Sequence, residues 1–491
     1  MITAISYIIF GVYICCLLLI GVYCTIQFHL LFHYLKKNAR KDEEVVVLDE
    51  KDYPFVTIQL PIFNEYFVVN RLIDNIVLID YPKDKFEIQV LDDSTDETVE
   101  MSRKKVNEYK EKGFNIELLT RTDRKGYKAG ALKEAMPKAK GEFVAIFDAD
   151  FLPQKDFLKK TIPLFADDNV AVVQTRWGHI NQSYSLLTEV QAFQLNVHFS
   201  VEQKGRQLGN YLLQFNGTAG VWRAKAIEDG GGWEADTLTE DLDLSYRVQL
   251  KGWKIIFMED AVSPAELPAE MMGLKSQQHR WMKGGAETAK KLLPKVWKSD
   301  LSLGKKIHGS IHLLGSSVFL SIFLVGVFSV PLLFVVFPSF LNPNVLEYFM
   351  ASTILIALIY FTANVQHNEK SKWKSMLKFV LLFPVFLSLS MGLSLHNSIA
   401  VIQGYLGRKS AFVRTPKFDI KGISNKIRNS KYHKYSISKI TIMEGVLALY
   451  FLGGVIAGIS MGNSSMVPFH LMLFFGYGAI FSYSVMHQRA H

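Results

Sequence analysis

The chain has 491 residues, enough for about three domains, and a formal net charge of +9. All three cysteines, Cys15, Cys16 and Cys24, lie in one apolar run, which excludes a disulfide framework and a cysteine-based metal site. A positive charge can indicate nucleic-acid binding. Here the basic residues cluster beside apolar runs and no nucleic-acid-binding motif is present, so we expect no nucleic-acid partner.

The first apolar run, residues 5–31, contains no charge and is long enough to cross a bilayer as a helix. A cleaved signal peptide is the alternative, but the run lacks a basic region before it and a small-residue cleavage site. We therefore predict an uncleaved transmembrane anchor over residues 1–35. Basic residues follow it directly: Lys36, Lys37, Arg40 and Lys41. By the positive-inside rule, they place the next domain in the cytoplasm.

Residues 50–305 are mixed in polarity and are predicted to form one cytoplasmic α/β domain. Short β-branched runs alternate with helical stretches, and the predicted strands are 55–61, 86–94, 114–120, 142–150 and 170–175. This alternation indicates a mostly parallel, Rossmann-like sheet whose ligands bind beyond the carboxyl ends of the strands. The chain has no GxGxxG or Walker A pattern, which argues against dehydrogenases and ATPases.

Acidic residues end two of these strands. Asp148 and Asp150 flank Ala149, and a strand would point both side chains to one side. Carboxylate pairs of this kind suit Mg²⁺ or Mn²⁺, often completed by substrate phosphates, although a solvated turn or a helix cap would use the same residues. Asp92 and Asp93 end another strand, where helix capping explains only the residues that follow them.

Two helix starts carry charged residues. Lys128, in "RKGYKAGAL", could approach a diphosphate, aided by the helix N-terminus, but surface lysines are usually only solvated. Thr239, Glu240 and Asp241 open a second helix, where capping is the simpler explanation. In the functional interpretation, Asp241 is a general base that takes the proton from a sugar hydroxyl.

With these pieces in order, the chain resembles the membrane-bound family-2 glycosyltransferases, the group of cellulose, mannan and hyaluronan synthases. Six motifs carry the resemblance: "LPIFNE" (60–65), "LDDS" (91–94), "KAGAL" (128–132), "DAD" (148–150), "TED" (239–241) and "QQHRW" (277–281). "FVRTPK" (412–417) is similar to the FxVTxK gating loop of cellulose synthases, with Arg414 where valine is expected. The resemblance implies an α/β GT-A-type domain joined to an α-helical transmembrane bundle.

The family also implies roles for individual residues. Asp241 would be the catalytic base of an inverting transfer, and Asp148 and Asp150 would hold the metal. The residues expected at the nucleotide and diphosphate are Asn64, Glu65, Asp93, Lys128, Asp148, Gln277, Arg280, Thr415 and Lys417. Those expected at the acceptor are Asn216, Glu240 and Trp281. For Trp281 the alternative is an interface helix whose indole anchors at lipid headgroups.

The C-terminal part, residues 306–491, is predicted to be a transmembrane bundle with apolar runs at 311–337, 345–365, 376–402, 441–461 and 466–486. Five crossings in turn would place the segment 404–440 outside, although it carries ten Lys/Arg and one Asp. We expect that 376–402, interrupted by Pro384, Gly392, His396 and Asn397, is partly re-entrant or lies along the cytoplasmic surface. The expected total is five crossings including the anchor.

The favoured function is transfer of a sugar from a nucleotide-diphosphate sugar to a growing β-linked polysaccharide, coupled to export. UDP-glucose is the first expectation for the donor and GDP-mannose the second, because several motifs look close to plant mannan synthases and their bacterial relatives. The alternatives are a non-processive enzyme that makes a glycolipid and, more remotely, an inactive scaffold or transporter. The expected location is a bacterial cytoplasmic membrane. The expected partners are the donor, a glycan or lipid acceptor, the bilayer and accessory export proteins.

Overall fold

The computed structural model describes residues 2–36, 48–335, 345–365, 372–410, 414–420, 438–462 and 464–489. The strands are β1 Val56–Ile62, β2 Phe86–Asp92, β3 Ile116–Thr120, β4 Phe143–Ile146, β5 Val170–His179, β6 Gly220–Arg223 and β7 Lys254–Ala265. The helices before and within the sheet domain are α1 Ile2–Leu35, α2 Val69–Ile76, α3 Thr98–Glu111, α4 Tyr127–Ala135, α5 Phe157–Thr161, α6 Leu186–Val197, α7 Gln203–Leu208, α8 Ala224–Asp229 and α9 Glu240–Gln249. The later helices are α10 Met271–Lys298, α11 Leu303–Leu313, α12 Val318–Leu332, α13 Val345–Val365, α14 Lys372–Gly392, α15 Ser394–Tyr405, α16 Lys439–Ser460 and α17 Val467–Arg489.

The strands form one sheet in the order β3-β2-β1-β4-β6-β5-β7. The pairs β1–β2, β2–β3, β1–β4 and β5–β7 are parallel, whereas β6 runs antiparallel to both β4 and β5. The mostly parallel sheet is therefore confirmed. The sequence analysis missed β6 and β7, and β5 extends four residues beyond the predicted 170–175.

Apolar cores cover both faces of the sheet, as expected for a largely parallel sheet. Alternate residues of β1, Val56, Ile58 and Leu60, pack against α2. On the opposite face, Val144 and Ile146 of β4 pack with residues of α4 and α9. Because both faces are covered, polar ligands have access at the strand ends, where the loops carry the charged residues.

The predicted strand 142–150 is too long. β4 ends at Ile146, and Asp148 and Asp150 lie in the turn that follows. The expectation that strand geometry points both carboxylates to one side is therefore wrong. The cause is local: the backbone N–H of Asp148 donates to the Thr218 hydroxyl (2.8 Å), and the N–H of Phe151 donates to the Asp148 carbonyl (3.0 Å). These bonds replace strand pairing.

Within the described part of the chain, five helical segments are long and apolar enough to cross a membrane. They are Ser6–Leu35, Gly315–Leu332, Lys372–Gly392, Lys439–Ser460 and Ser464–Met486, with a shorter apolar helix at Ala351–Val365. α1 packs against α12 and α13, so the N-terminal helix joins the C-terminal bundle. The two ends of the chain thus form one membrane unit beneath the sheet domain.

The apolar run 376–402 is divided at Leu393 into α14 and α15. Pro384 lies inside α14, and His396 and Asn397 lie inside α15, so these three residues do not interrupt the run. Near its start, α14 contacts the sheet domain through the Lys378–Glu189 ion pair. At the end of α15, the Tyr405 carbonyl accepts a hydrogen bond from Lys290 of α10 (2.9 Å). The start of α14 and the end of α15 therefore contact the sheet domain and the helix that follows it.

Helix α10 connects the sheet domain to the bundle. Near its start, Lys275 donates to Glu444 of α16 (2.6 Å) and to Ser484 of α17 (2.9 Å) in a buried site. His396 Nε2 of α15 lies 2.9 Å from the Lys275 carbonyl oxygen. Three bundle helices are thus tied to one residue, two positions before the "QQHRW" motif. Removing one charge of a buried pair is strongly destabilising, so these contacts fix the position of α10.

Candidate active site

A cavity of about 690 Å³ opens at the carboxyl ends of β1, β2 and β4. We call it the polar cavity. Its lining includes most of the predicted site residues: Glu65, Asp93, Lys128, Asp148, Asp150, Asn216, Glu240, Asp241, Gln277, Arg280, Trp281, Thr415 and Lys417. These residues come from loops, α4, α9, α10 and the segment 414–420, so the fold brings together groups that are up to 352 positions apart.

Asn64 is the one predicted residue outside this lining. Its backbone has a positive φ of 54°, its N–H donates to the Ser94 hydroxyl (2.7 Å), and its side-chain oxygen accepts from the Thr95 N–H (2.8 Å). Asn64 therefore ties the loop after β1 to the loop after β2. The nucleotide contact of Asn64 stays a prediction.

Asp93 lies in the polar cavity and forms a two-pronged ion pair with Arg121, whose Nε donates at 2.9 Å. The neighbouring Asp92 is buried and accepts from the Ser94 N–H (2.8 Å) and the Ser102 hydroxyl (2.5 Å). The two acids after β2 thus have different roles. Asp92 organises the turn and the start of α3, and only Asp93 reaches the cavity.

Asp148 and Asp150 each contact a lysine. Lys128 pairs with Asp148 Oδ1 and also donates to the Gly217 carbonyl (2.8 Å). Lys417 donates to Asp150 Oδ2 (2.8 Å), which also accepts from the Glu266 N–H (3.0 Å). Among the described residues, side-chain hydrogen bonds reach only one oxygen of each carboxylate.

This donor set fits a divalent cation. Two carboxylates line one cavity, and each keeps one oxygen available for a further ligand. Mg²⁺ and Mn²⁺ prefer oxygen ligands and are commonly completed by substrate phosphates and water. The cations around the same cavity, Lys128, Arg280 and Lys417, suit an anionic ligand such as a diphosphate.

Asp241 lies in the first turn of α9, on the wall of the polar cavity. Desolvation by the surrounding protein, together with the neighbouring Glu240, raises the pKa of Asp241 to about 7. Desolvation also raises the pKa of Glu240. A carboxylate with a pKa near neutrality is suited to general-base work. The competing capping role uses one oxygen only, since Asp241 Oδ1 accepts from the Leu242 N–H (2.8 Å).

Gly217 lies against the other carboxylate oxygen of Asp241. A Cβ built on Gly217 would be 2.9 Å from Asp241 Oδ2 and 3.5 Å from Lys128 Nζ, and its φ is +81°. Glycine tolerates this backbone conformation and leaves room beside both charged groups. Residues 215–218, "FNGT", thus contribute space next to Asp241, in addition to the Asn216 side chain.

Residues 414–420, which include the last four residues of the gating-loop-like motif "FVRTPK", dock on the polar cavity. Arg414 pairs with Glu65 (2.9 Å) and donates to the Phe63 carbonyl (3.3 Å). Arg280 donates to the Thr415 hydroxyl (3.2 Å). Burial raises the pKa of Glu65 to about 7 and lowers that of Arg280 to about 10. Phe412 and most of the segment 404–440 lie outside the described residues.

A second cavity of about 460 Å³ runs from the same wall into the helix bundle. We call it the membrane cavity. Its lining is largely apolar and comes from α1, α12, α13, α14 and α17. Four groups discussed for the site border both cavities: Asn216, Thr239, Asp241 and Trp281. The position of Trp281 between the cavities favours a binding role over headgroup anchoring.

Several cavity residues were missed in the sequence. Trp177, at the end of β5, borders both cavities, and Arg124 stacks on Phe63 with its guanidinium 3.2 Å from the ring centroid. Glu266, directly after β7, contacts the segment 414–420. An aromatic residue at the carboxyl end of a strand could have indicated Trp177. No local pattern indicates Glu266, because its partners are more than 150 positions away.

Comparisons with known proteins show what the sheet domain is similar to. Residues 54–284 match the family model described as "Glycosyltransferase like family 2". Glucomannan 4-beta-mannosyltransferase 1 of Oryza sativa subsp. japonica is 43% identical over 262 residues, which cover 52% of this chain and 50% of that protein. Glucomannan 4-beta-mannosyltransferase 2 of Arabidopsis thaliana is 38% identical over 317 residues, which cover 61% and 59%. The chain thus spans about half the length of the curated relatives it matches.

Among solved structures, a mannosyltransferase from Pyrobaculum calidifontis, in complex with GDP-mannose and Mn²⁺, is 18% identical with a TM-score of 0.49. That match covers 80% of this chain and 100% of that chain. The two glucomannan mannosyltransferases come from plants, so the comparisons give no support to the expectation of a bacterial cytoplasmic membrane. They say nothing about accessory export proteins.

Proposed function

We propose that the chain transfers mannosyl groups from GDP-mannose to a growing β-1,4-linked glycan, through a GT-A-type domain over residues 54–284, the range that matches the family-2 glycosyltransferase model. The support for mannose comes from the relatives, which are named 4-beta-mannosyltransferases. This proposal replaces the UDP-glucose donor that the sequence analysis put first. The catalytic steps that follow do not depend on which of these two sugars is used.

The donor's diphosphate would lie among Lys128, Arg280 and Lys417, with its sugar towards Asp241. A divalent cation held by Asp148 and Asp150 would neutralise charge on the leaving diphosphate. The three basic side chains would stabilise the same charge directly, because preorganised cations in a partly desolvated site stabilise a leaving anion without reorganising.

Bond formation would be a single inverting displacement. The acceptor hydroxyl oxygen attacks the anomeric carbon, the bond from that carbon to the diphosphate oxygen breaks, and the diphosphate leaves with the electron pair. Asp241 takes the hydroxyl proton, for which its pKa of about 7 is well matched. The displacement needs one base and a stabilised leaving group, so it does not require a nucleophilic side chain.

The observation that carries the proposal is the wall shared by the two cavities. Asp241, Asn216 and Trp281 border both the polar cavity and the membrane cavity. An acceptor glycan in the membrane cavity would have its end beside the proposed base, and Trp281 would stack on the apolar face of a sugar ring. A sugar added at this wall could move into the bundle, which favours a polymer over a glycolipid.

The test uses the full chain reconstituted in lipid nanodiscs, supplied in parallel with radiolabelled GDP-mannose and UDP-glucose. The expected product is a high-molecular-mass glycan, made from GDP-mannose and degraded by an endo-β-1,4-mannanase. Excess EDTA should abolish its synthesis, and added Mg²⁺ or Mn²⁺ should restore it. A product of one sugar on a lipid would favour the glycolipid alternative, and preferential use of UDP-glucose would contradict the proposed donor.

A further inference from the structure

The carboxylate of Glu266 holds the backbone of the segment 414–420 on the sheet domain at two points. Glu266 follows β7, and its side chain is 2% exposed. Its Oε1 accepts from the Phe418 N–H (2.8 Å), and its Oε2 accepts from the Ile420 N–H (3.3 Å). Both oxygens therefore bind the backbone of a segment that lies more than 150 positions away in the chain.

A buried carboxylate is costly unless its oxygens are hydrogen-bonded. The further neighbour of Glu266 is Arg71 of α2, whose Nη2 is 3.8 Å from Oε2. Without the segment, Glu266 would keep this long ion pair and would lose both of its backbone donors. The carboxylate therefore stabilises the docked arrangement specifically.

Arg71 links the same carboxylate to a second point on the segment. Its Nη1 pairs with Asp419, while its Nη2 faces Glu266. Asp419 has a positive φ of 56°, a conformation that non-glycine residues seldom adopt. The side chain of Ile420 is 1% exposed, so the segment is also anchored by an apolar contact. Arg71 and Glu266 together contact three consecutive residues.

Docking places two side chains of the segment in the polar cavity. Lys417 donates both to Asp150 (2.8 Å) and to the Glu266 carbonyl (2.9 Å). Thr415 is buried and accepts from Arg280 (3.2 Å). Both residues line the polar cavity only because the segment lies in this position. What holds the backbone at residues 418–420 therefore also sets the position of Thr415 and Lys417.

We propose that Glu266, with Arg71, is a clamp that positions the segment 414–420 over the donor site and thereby sets the affinity for the nucleotide sugar. The inference rests on the proposed function and names two positioning residues for the same site. Neither residue takes part in bond making. The clamp acts through backbone N–H groups, so it would work with different side chains at positions 418 and 420.

The test compares Glu266→Gln with the unchanged full chain in nanodiscs. A glutamine amide keeps one acceptor but brings an NH₂ group to a second backbone N–H, so one clamp bond is lost. We expect the donor KM to rise about tenfold, the size expected for losing a hydrogen bond to a charged group, with kcat changed less than about threefold. Arg71→Met should raise KM in the same direction. The double variant should be less than additive, because both residues act on one segment.

The matched control is Glu87→Gln. Glu87, in β2 away from the polar cavity, is also a buried carboxylate that accepts from a backbone N–H, that of Lys140 (2.8 Å). This variant should lose thermal stability comparably and keep the donor KM. An equal rise of KM in Glu87→Gln would show that Glu266 has only a general structural role.

A second measurement does not depend on activity. Limited trypsin digestion with mass spectrometry reports cleavage after Arg414 and Lys417, the two basic residues of the docked segment. We expect faster cleavage at these two sites in Glu266→Gln and an unchanged rate in Glu87→Gln. Unchanged cleavage together with an unchanged KM would overturn the clamp. If Glu266→Gln is cleaved faster but the unchanged chain transfers no sugar, the clamp is supported and the proposed function is contradicted.

Discussion

Asp241 has a chemical environment that a helix cap does not need. Glu240 precedes it in α9, and Gly217 leaves one of its oxygens facing open space beside Lys128. The raised pKa follows from desolvation and from the neighbouring carboxyl group, and the two acids titrate as a pair. These surroundings favour a group that accepts a proton during the reaction.

Asp241→Asn is the substitution that separates the two roles. Asparagine keeps a side-chain oxygen that can accept from the Leu242 N–H in the first turn of α9, but it cannot accept the proton. A positioned base contributes about 10²–10⁴-fold, so we expect turnover to fall by at least about a hundredfold with donor binding by calorimetry retained.

Asp243→Asn is the control for this change, two residues further along α9. Asp243 is buried and pairs with Arg247 (2.8 Å) and Lys291 (3.0 Å), outside the polar cavity. This variant should lose stability and keep the specific activity of the folded protein. If Asp241→Asn kept more than about a tenth of the turnover, the base role would be refuted.

The pH dependence of activity provides another check on Asp241. A general base works in its ionised form, and Asp241 is ionised above its pKa of about 7. We therefore expect kcat/KM, which reports on the free enzyme, to fall as the pH drops below about 7, roughly tenfold per pH unit at the acid end. A profile that stays flat down to pH about 5 would contradict the assignment.

The contribution of Asp241 to the free energy of unfolding should fall as the pH rises, whereas its contribution to activity should rise. The raised pKa means that folded Asp241 binds its proton more tightly than the unfolded chain does, whose carboxyl titrates near about 4. Its contribution to stability is therefore present at low pH and is lost as the pH rises towards about 7. Asp241→Asn should reduce this part of the pH dependence of the melting temperature.

At the scale of secondary structure, sequence patterns predicted most strands but not their limits. β1, β2 and β3 are apolar or β-branched runs and were found, whereas β6 has four residues, too few for a recognisable period. In "IFDAD" the apolar run suggested that the strand continues. The hydrogen bond from the Asp148 N–H to Thr218, which ends it, involves a residue 70 positions away.

The candidate site was predictable to the extent that its residues form local motifs. The motifs supplied the thirteen predicted site residues that line the polar cavity, counting Asn216 in "FNGT" and Thr415 and Lys417 in "FVRTPK". Pairings across the chain were not predictable. Arg414 departs from the family pattern, and its partner Glu65 lies 349 positions earlier, so only the fold reveals that the two charges compensate each other.

Trp281 lies on helix α10, and its predicted role can be tested by substitution. If its ring is an acceptor platform between the cavities, Trp281→Ala should reduce transfer by roughly 5–150-fold, taking about 1–3 kcal/mol for ring stacking by analogy with bases. Donor binding should change little. Both are measured on the same preparation, by product formation and by calorimetry.

Trp297 is the matched control, because it lies on the same helix and is 51% exposed. Trp297→Ala should leave transfer unchanged. If Trp281→Ala transferred sugar normally but inserted poorly into membranes, the headgroup-anchor interpretation of Trp281 would be correct.

At the scale of the whole molecule, the path of the chain through the bilayer decides whether the segment 414–420 can reach the sheet domain. The start of α14 contacts that domain and the end of α15 contacts α10, so the segment that follows α15 can dock on the sheet domain. α16 then starts beside α10 at the Lys275–Glu444 pair. A membrane orientation with residues 404–440 in the cytoplasm agrees with both observations.

This orientation can be tested with cysteines in a background that lacks Cys15, Cys16 and Cys24. Ser424→Cys, in the part of 404–440 outside the described residues, should resist an impermeant thiol reagent in intact cells. Ser464→Cys, in the exposed turn between α16 and α17, is the positive control and should be labelled. Labelling of both positions would place residues 404–440 outside.

The membrane cavity also bears on how easily a product could slide. Beyond one hydrogen-bonded polar group, its walls are mostly aliphatic and aromatic, with a few further polar side chains such as Ser352 and Ser390. The members of that group are Gln27, His198, Glu202, Gln214 and Asn216. Each fixed hydrogen bond would hold a sugar by about 0.5–1.5 kcal/mol, and a regular row of such bonds would trap the glycan at every step. A lining with few of them makes successive positions nearly equal in energy. The glycan would then meet little friction, and the free energy of sugar transfer would be enough to push it forward one unit at a time.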